Sequence, residues 1–302
     1  MSHPTLIPFG PKSNCNLDLC PLEWTVFKYR PSMPASISFI TAYSVLLCLH
    51  VYLGFRWRSW WFTSCMALGC VEEIIGYAGR IIMYHNPFSF AGFMIQIVCI
   101  GGAPVFYTAA IYVTISMLVE SLDVSLSRIP PKMYYIIFIS ADIVALVLQA
   151  AGGALSTTSA GKSTEGNTLA LAGLIFQVVV TFAFSIVFAD YLVRYFRSQS
   201  RLRQQGAGTG AVAAATADDL RRLRIFTAFM SAAILLILAR CLYRVEELRE
   251  GYRGVMMTKE SLFIGLEGVL IVLAASCLLV GNPGFVLAAP EKGCESAVEH
   301  PF

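Results

Sequence analysis

Charge is what this sequence has least of. Asp, Glu, Lys and Arg make up 14% of its 302 residues, against 57% hydrophobic residues, where a soluble domain carries about a quarter charged. With a mean hydropathy of +0.67, that deficit excludes an ordinary soluble globule and makes the chain a membrane protein. Histidine is also scarce: His3, His50, His85 and His300 are the whole set. They are too few and too scattered for a catalytic zinc, which needs several His or carboxylate ligands and an open water position. No CxxC and no G-x4-G-K-[ST] occurs, so neither a cysteine metal knuckle nor a phosphate-cradling loop is written into the chain. No Ser or Cys stands beside a membrane-embedded His, which leaves nucleophilic catalysis without a base. No cofactor, metal, nucleic-acid partner or enzymatic activity is expected.

The apolar residues gather into runs long enough to cross a hydrocarbon core, about 20 residues each: 35–55, 61–84, 91–119, 133–154, 168–192, 225–248 and 260–281. The expected fold class is all-α, a polytopic bundle of seven transmembrane helices. Residues 1–34 form an external tail, 35–284 the helical membrane domain and 285–302 a cytosolic tail. The tail before the first run is polar and bears Pro4, Pro8, Pro11, Pro21, Pro31 and Pro34, so that run reads as a retained signal anchor rather than a cleaved leader. Positive residues choose the orientation. One side holds twelve Lys and Arg, seven of them between Arg194 and Arg224, and the other holds seven. The richer side is assigned to the cytosol, which puts the amino terminus outside and the carboxyl terminus inside. The stretch from Arg194 to Arg224, centred on Gln204-Gln205-Gly206-Ala207-Gly208-Thr209-Gly210, is expected to be a mobile loop whose arginines could meet anionic lipid. Cys15 and Cys20 share the external tail, where a disulfide is possible; six of the other cysteines fall inside predicted helices.

What charge there is has been put where it costs most. An ionisable residue at membrane depth costs at least roughly 2.5–3.5 kcal/mol on insertion scales and is kept for a partner, a substrate or a pathway. The second run carries Glu73, Tyr77 and Arg80. Seven residues apart, Glu73 and Arg80 share a helix face two turns from each other and cannot pair directly, while Gly76 allows close approach by another helix. The fourth run carries Asp142, Gln149 and Gly152-Gly153 on one face. The sixth places Arg240, Tyr243, Arg244 and Glu247 at i, i+3, i+4 and i+7; two arginines at i, i+4 repel, so acids or an anionic ligand must lie opposite. The seventh supplies Glu260 and Glu267. One arrangement satisfies these demands: Arg80, Arg240 and Arg244 face Glu73, Asp142 and Glu267 across a single central cavity in the outer half of the bilayer, accompanied by Tyr112. The bland alternative is that each charge merely holds two helices together.

Taken together these residues resemble the fungal lipid-translocating exporter family, the RTA-like (resistance to aminocholesterol) seven-helix proteins. The likeness spans roughly residues 29 to 284. It rests on Tyr29-Arg30-Pro31-Ser32, Glu73-x-x-Gly76-Tyr77-x-x-Arg80, Pro104 with Ala110 and Tyr112, Asp142 with Gln149 and Gly152-Gly153, Gly173 with Gln177, and Arg240-x-x-Tyr243-Arg244-x-x-Glu247 with Gly251. The last helix departs from the family's E-x3-Y-x2-D: Ile264 replaces the phenol and Glu267 the aspartate, and Asn282-Pro283-Gly284 stands where H-P-G is usual. The resemblance implies an exporter or flippase of amphipathic lipids such as sphingoid long-chain bases, with resistance to toxic amphiphiles as phenotype, in the plasma membrane or an internal one. Porphyrin uptake by other members leaves the substrate open. Acids such as Glu73 and Asp142 suit a cationic amine, and their protonation offers a route to proton coupling. The alternative is a seven-helix receptor or sensor for an amphipathic ligand, against which stands the gathering of charge within the membrane rather than at cytosolic helix ends.

Overall fold

The computed structural model describes residues 10, 13–158, 164–205, 211–250 and 258–287. Among them the chain is mostly helical, without strands: α1 (Met33–Trp57), α2 (Trp60–His85), α3 (Phe90–Leu122), α4 (Pro131–Thr158), α5 (Thr164–Gln205), α6 (Ala211–Arg249), α7 (Glu260–Leu262), a π-helical turn (Phe263–Val269), α8 (Leu270–Val280) and α9 (Gly284–Leu287). Local chemistry sets several ends. Ser32 caps α1 by accepting from Ala35 N, with Pro34 in the first turn, where a missing N–H costs nothing. Arg58 closes α1 in the left-handed region, and Ser89 caps α3 by accepting from Gly92 N at 3.2 Å.

Six helical stretches among the described residues are long and apolar enough to cross a membrane: Met33–Trp57, Phe90–Leu122, Pro131–Ser156, Glu165–Arg201, Asp219–Arg249 and Glu260–Val286. The 26-residue α2 matches the 25-residue α1 in length; what sets it apart is Glu72, Glu73 and Arg80 within one run. The helices close a ring. α2 packs on α1 and α3, α4 on α3 and α5, α6 on α5 and α8, and α1 returns against α8. α3 runs closest to the middle, with 61% of its apolar window buried against 22% for α4, and it reaches α6 as well.

Two glycine contacts make this spacing possible. A Cβ on Gly79 would stand 2.9 Å from the Gly92 carbonyl oxygen, so α2 and α3 meet backbone to backbone; one on Gly152 would stand 2.6 Å from the Gly166 oxygen, and α4 meets α5 the same way. Such close approach favours dispersion and is the usual way helices pack in lipid. The core between them is aromatic and aliphatic, with Tyr43, Met66, Tyr107, Phe184 and Ile271 fully buried.

The expected loop from Arg194 to Arg224 is corrected. Helix α5 continues to Gln205 and α6 begins at Ala211, because Arg, Gln, Leu and Ala are strong helix formers once an apolar helix has nucleated the turn. Of the expected centre, 204–210, Gln204 and Gln205 belong to α5 and 206–210 lie outside the described residues, as do Gly251 and most of the tail 285–302. Cys15 and Cys20 are joined in a disulfide, and the pair is buried with Phe88.

Candidate functional site

The intramembrane charges form separate contacts rather than one ring. Outermost in sequence terms, Arg80 of α2 donates to Glu260 at the start of α7 at 3.0 Å, and the same Glu260 oxygen accepts the Ser32 backbone N–H at 2.5 Å. The Arg80 guanidinium also lies 4.1 Å from the Phe263 ring centroid, which combines an ion pair with a cation–π contact. Tyr29 completes the group, with Arg80, Glu260 and Glu247 as its charged neighbours. Burial pushes the Tyr29 phenol above its ordinary 10 while Arg80 pulls it down, so it stays neutral at physiological pH.

Deeper in the bundle, Arg240 of α6 donates at 2.6 Å both to Glu267 and to the Ile100 carbonyl of α3. Both side chains are almost wholly buried, 3% and 1% exposed. Arg244, one turn on, donates to Glu247 at 2.6 Å and lies 3.8 Å from the Glu267 oxygen that Arg240 holds. The repulsion between the two arginines is thus offset by two acids, one from their own helix and one from the π-helical turn. That turn matters: π-bulges widen a helix by one residue and are frequent at functional sites. Here it carries Glu267, while Glu260 lies three residues before its first residue, Phe263, and the two acids serve different arginines. Glu73 is 1% exposed and lies in the field of Arg240, Glu267 and Glu72, with the Tyr43, Tyr77 and Tyr107 phenols around it. Gly76 abuts Ile100.

The single shared cavity of the sequence reading does not form as drawn. Asp142 of α4 accepts from the Thr108 hydroxyl at 2.8 Å and the Tyr112 hydroxyl at 3.1 Å, both on α3, so a pair of hydroxyls rather than an arginine serves it. Tyr112 is enclosed by Phe184 and Phe138, with ring centroids 4.4 and 5.5 Å away. Gln149 donates to Gln177 of α5 at 2.9 Å. Tyr243 is buried beside Glu247, Glu267 and Tyr29. Among the residues the sequence reading did not assign to a site, Thr108 and Ser32 have signals that point to them: Thr108 lies four before Tyr112 on the same face, and Ser32 is a helix cap. Tyr43 has no such signal. The lone histidine at depth, His50, bonds the Ala275 carbonyl at 3.2 Å, a helix-to-helix tie.

One pocket reaches three of these residues, Gln149, Arg244 and Glu247. It runs between α3, α4, α5 and α6, walled by Phe93, Ile97, Leu146, Ala150 and Leu174, and ends on Gln149, Arg244 and Glu247. Gly153, whose α-carbon faces open space, helps to line it. Its neighbour Gly152 is the packing contact with α5, so the Gly-Gly pair splits into one structural and one pocket residue.

The family described as RTA1 like protein matches residues 66–290, which include every charged pair above. The chain belongs to the RTA1-like family. Among curated RTA1-like proteins it is 31% identical over 277 residues to the sphingoid long-chain base transporter RSB1 of Saccharomyces cerevisiae strain Lalvin EC1118, covering 84% of this chain and 72% of that protein. It is 29% identical over 219 residues to protein RTM1 of Saccharomyces cerevisiae, with 71% and 65% covered. It is 28% identical over 216 residues to protoporphyrin uptake protein 1 of the same organism, with 71% and 66% covered. No solved structure matches the chain.

Proposed function

We propose that this RTA1-like chain is a multi-pass membrane translocator, an exporter or flippase, of amphipathic lipids of the sphingoid long-chain base type. In this reading it crosses the plasma membrane seven times, α2 included, with its amino terminus outside. Support for α2 as a span is its length and its place in the ring between α1 and α3. Support for the orientation is the excess of Lys and Arg on the side assigned to the cytosol, and a disulfide in the tail assigned to the oxidising side.

The observation that carries the reading is the pocket of α3 to α6. Its walls are apolar, as an acyl chain requires, and its polar end offers a carboxylate at Glu247, an amide at Gln149 and a guanidinium at Arg244. A long-chain base presents a cationic amine and hydroxyls on one end of an alkyl tail. Glu247 suits the amine; Gln149 and Arg244 suit the hydroxyls. Glu73, Tyr77, Arg80, Tyr112, Asp142, Arg240, Tyr243, Glu260 and Glu267 form the second part of the path in this proposal, holding the helices whose relative movement would pass the headgroup across. The resemblance of the chain to a named long-chain base transporter favours this substrate class, and its resemblance to a named protoporphyrin uptake protein makes porphyrin the control substrate.

Efflux of labelled long-chain base from cells carrying wild-type or variant protein tests this. Gly153→Leu fills the pocket without touching a charge and is expected to reduce efflux per copy at least about tenfold, the equivalent of ~1.4 kcal/mol of lost binding. Glu247→Gln should weaken long-chain amines more than uncharged analogues. A wild type that moves no lipid, with charge variants that lose a signalling output, would replace transport with the receptor reading.

A further inference from the structure

The tail before α1 is built onto the bundle at two ends. At one end, the Cys15–Cys20 disulfide packs with Phe88 in the α2–α3 connection, and Ser13 Oγ donates to the Phe88 carbonyl at 3.3 Å. At the other, the Ser32 N–H is held by Glu260, itself paired with Arg80. Between these anchors the segment from Val26 to Arg30 crosses the ends of α2 and α3. Phe27 is buried against Met83 and Phe93, its ring centroid 5.6 Å from that of Phe93, and Val26 and Tyr29 pack against the same cluster with Met94 and Ile97. Phe93, Met94 and Ile97 are pocket-lining residues. The Tyr29 phenol, next to Arg80, also lies in the field of Glu247, the acid at the pocket's polar end.

The crossing segment is held by means that can be undone. Arg30 reaches Tyr84, donating to its carbonyl at 2.7 Å and lying 3.8 Å from its ring centroid, in an exposed position. Lys28 adopts a left-handed backbone, φ 58°, a conformation that a non-glycine residue keeps only where its surroundings impose it. Its N–H donates to the Thr25 hydroxyl at 3.0 Å, within the amino-terminal tail rather than to the bundle.

We infer that residues 26–30 form a strap that gates the outer mouth of the lipid pocket, opening between two fixed anchors, with Phe27 and Tyr29 packed behind the pocket-lining Phe93, Met94 and Ile97. The inference rests on the translocation reading. Closed, the strap backs the pocket wall through Phe93 and Met94 and brings Tyr29 to the headgroup end. Lifting residues 26–30 would release the Phe93 wall, expose the Arg80–Glu260 pair to water and leave the disulfide knob in place, so the strap recloses without searching for its site.

The test uses the full-length protein in vesicles. Phe27→Cys introduces a thiol that is buried when the strap is closed, and Val26→Cys serves if that variant folds poorly. Labelling by a membrane-impermeant maleimide is followed with and without a saturating C18 long-chain amine. A severalfold change in labelling rate is expected on adding the amine, and none on adding a short-chain amine of equal charge. Arg30→Ala should alter the apparent KM for transport severalfold per copy of protein while its thermal midpoint stays near that of the wild type. A labelling rate indifferent to the long-chain amine, with Arg30→Ala changing only abundance, would overturn the gate. Absence of transport by the wild type would instead remove the translocation reading, and substrate-dependent labelling would still report a strap that responds to a bound amphiphile.

Discussion

At the scale of single residues, the question is whether each intramembrane charge stabilises or serves. Arg240 and Glu267 are both almost fully buried and hydrogen-bonded to each other at 2.6 Å. Removing one partner of a buried pair leaves the other uncompensated and typically costs about 3–5 kcal/mol, whereas replacing both by apolar residues of similar volume is often neutral. Arg240→Ala is therefore expected to lower the thermal midpoint of the detergent-purified protein sharply, and the double variant Arg240→Met/Glu267→Leu to recover most of it. If transport fails in both, the pair does more than hold α6 to the π-helical turn; if the double variant transports normally, the pair is structural. Asp142 makes a contrasting case. Asp142→Ala removes the acceptor of the Tyr112 hydroxyl, while the Thr108 hydroxyl keeps the Val105 carbonyl, a loss of about 1–3 kcal/mol for a buried polar group left without its partner. Asp142→Asn keeps an accepting oxygen and should lose markedly less, read by the same melting measurement.

At the scale of the helix, the two glycines of α4 separate packing from function. Gly152 meets the α5 backbone, and a Cβ there would stand 2.6 Å from the Gly166 oxygen; Gly153 faces open space. Overpacking costs about 1–3 kcal/mol in a well-packed interior, so Gly152→Val should destabilise the fold and Gly153→Ala should not, while only the latter leaves abundance intact enough to show a change in lipid affinity. This difference between adjacent identical residues was not legible in the sequence, since a stripe of small residues says that something approaches closely and not which residue it approaches. Much else was legible. The positions of the helices followed from apolar runs, because every backbone group in hydrocarbon must be satisfied within its own helix. The inward faces of α2 and α6 followed from offsets of three, four and seven. Partner choice did not follow: Arg80 takes Glu260, an acid outside the expected set of Glu73, Asp142 and Glu267, and Asp142 takes hydroxyls rather than an arginine, because partnering depends on how helices rotate against each other. The π-helical turn is the plainest example. A local 3.6-residue count puts Glu260 and Glu267 on one face, and only the widened turn shows why they serve Arg80 and Arg240 separately. Deleting Gly265 should restore α-helical register through the turn, keep Arg240 with Glu267, and swing Glu260 away from Arg80 and Ser32. The expected outcome is a folded protein whose amino-terminal strap becomes sensitive to limited proteolysis.

At the scale of the whole molecule, orientation is the property that every step of the transport proposal depends on. The pocket's polar end, the Arg80–Glu260 pair and the disulfide-bonded tail all lie toward the side assigned to the exterior, so an inverted chain would open its gate to the cytosol and export would become uptake. The proposed orientation rests on an excess of twelve Lys and Arg against seven. Four of the twelve, Arg197, Arg201, Arg221 and Arg222, are exposed on the ends of α5 and α6, where they make no part of the pocket or of the strap. Changing these four to Gln would leave the two sides nearly balanced, and the sign of a small residual bias sets topology only weakly. The expected result is a mixed population: an amino-terminal tag reached by impermeant antibody on wild-type cells, and reached on only a fraction of the molecules in the fourfold variant, with efflux falling in proportion to that fraction. Should the wild-type tag prove inaccessible while a carboxyl-terminal tag is exposed, the molecule sits the other way up, and its gated pocket would face the cytosol as an entry site for lipid.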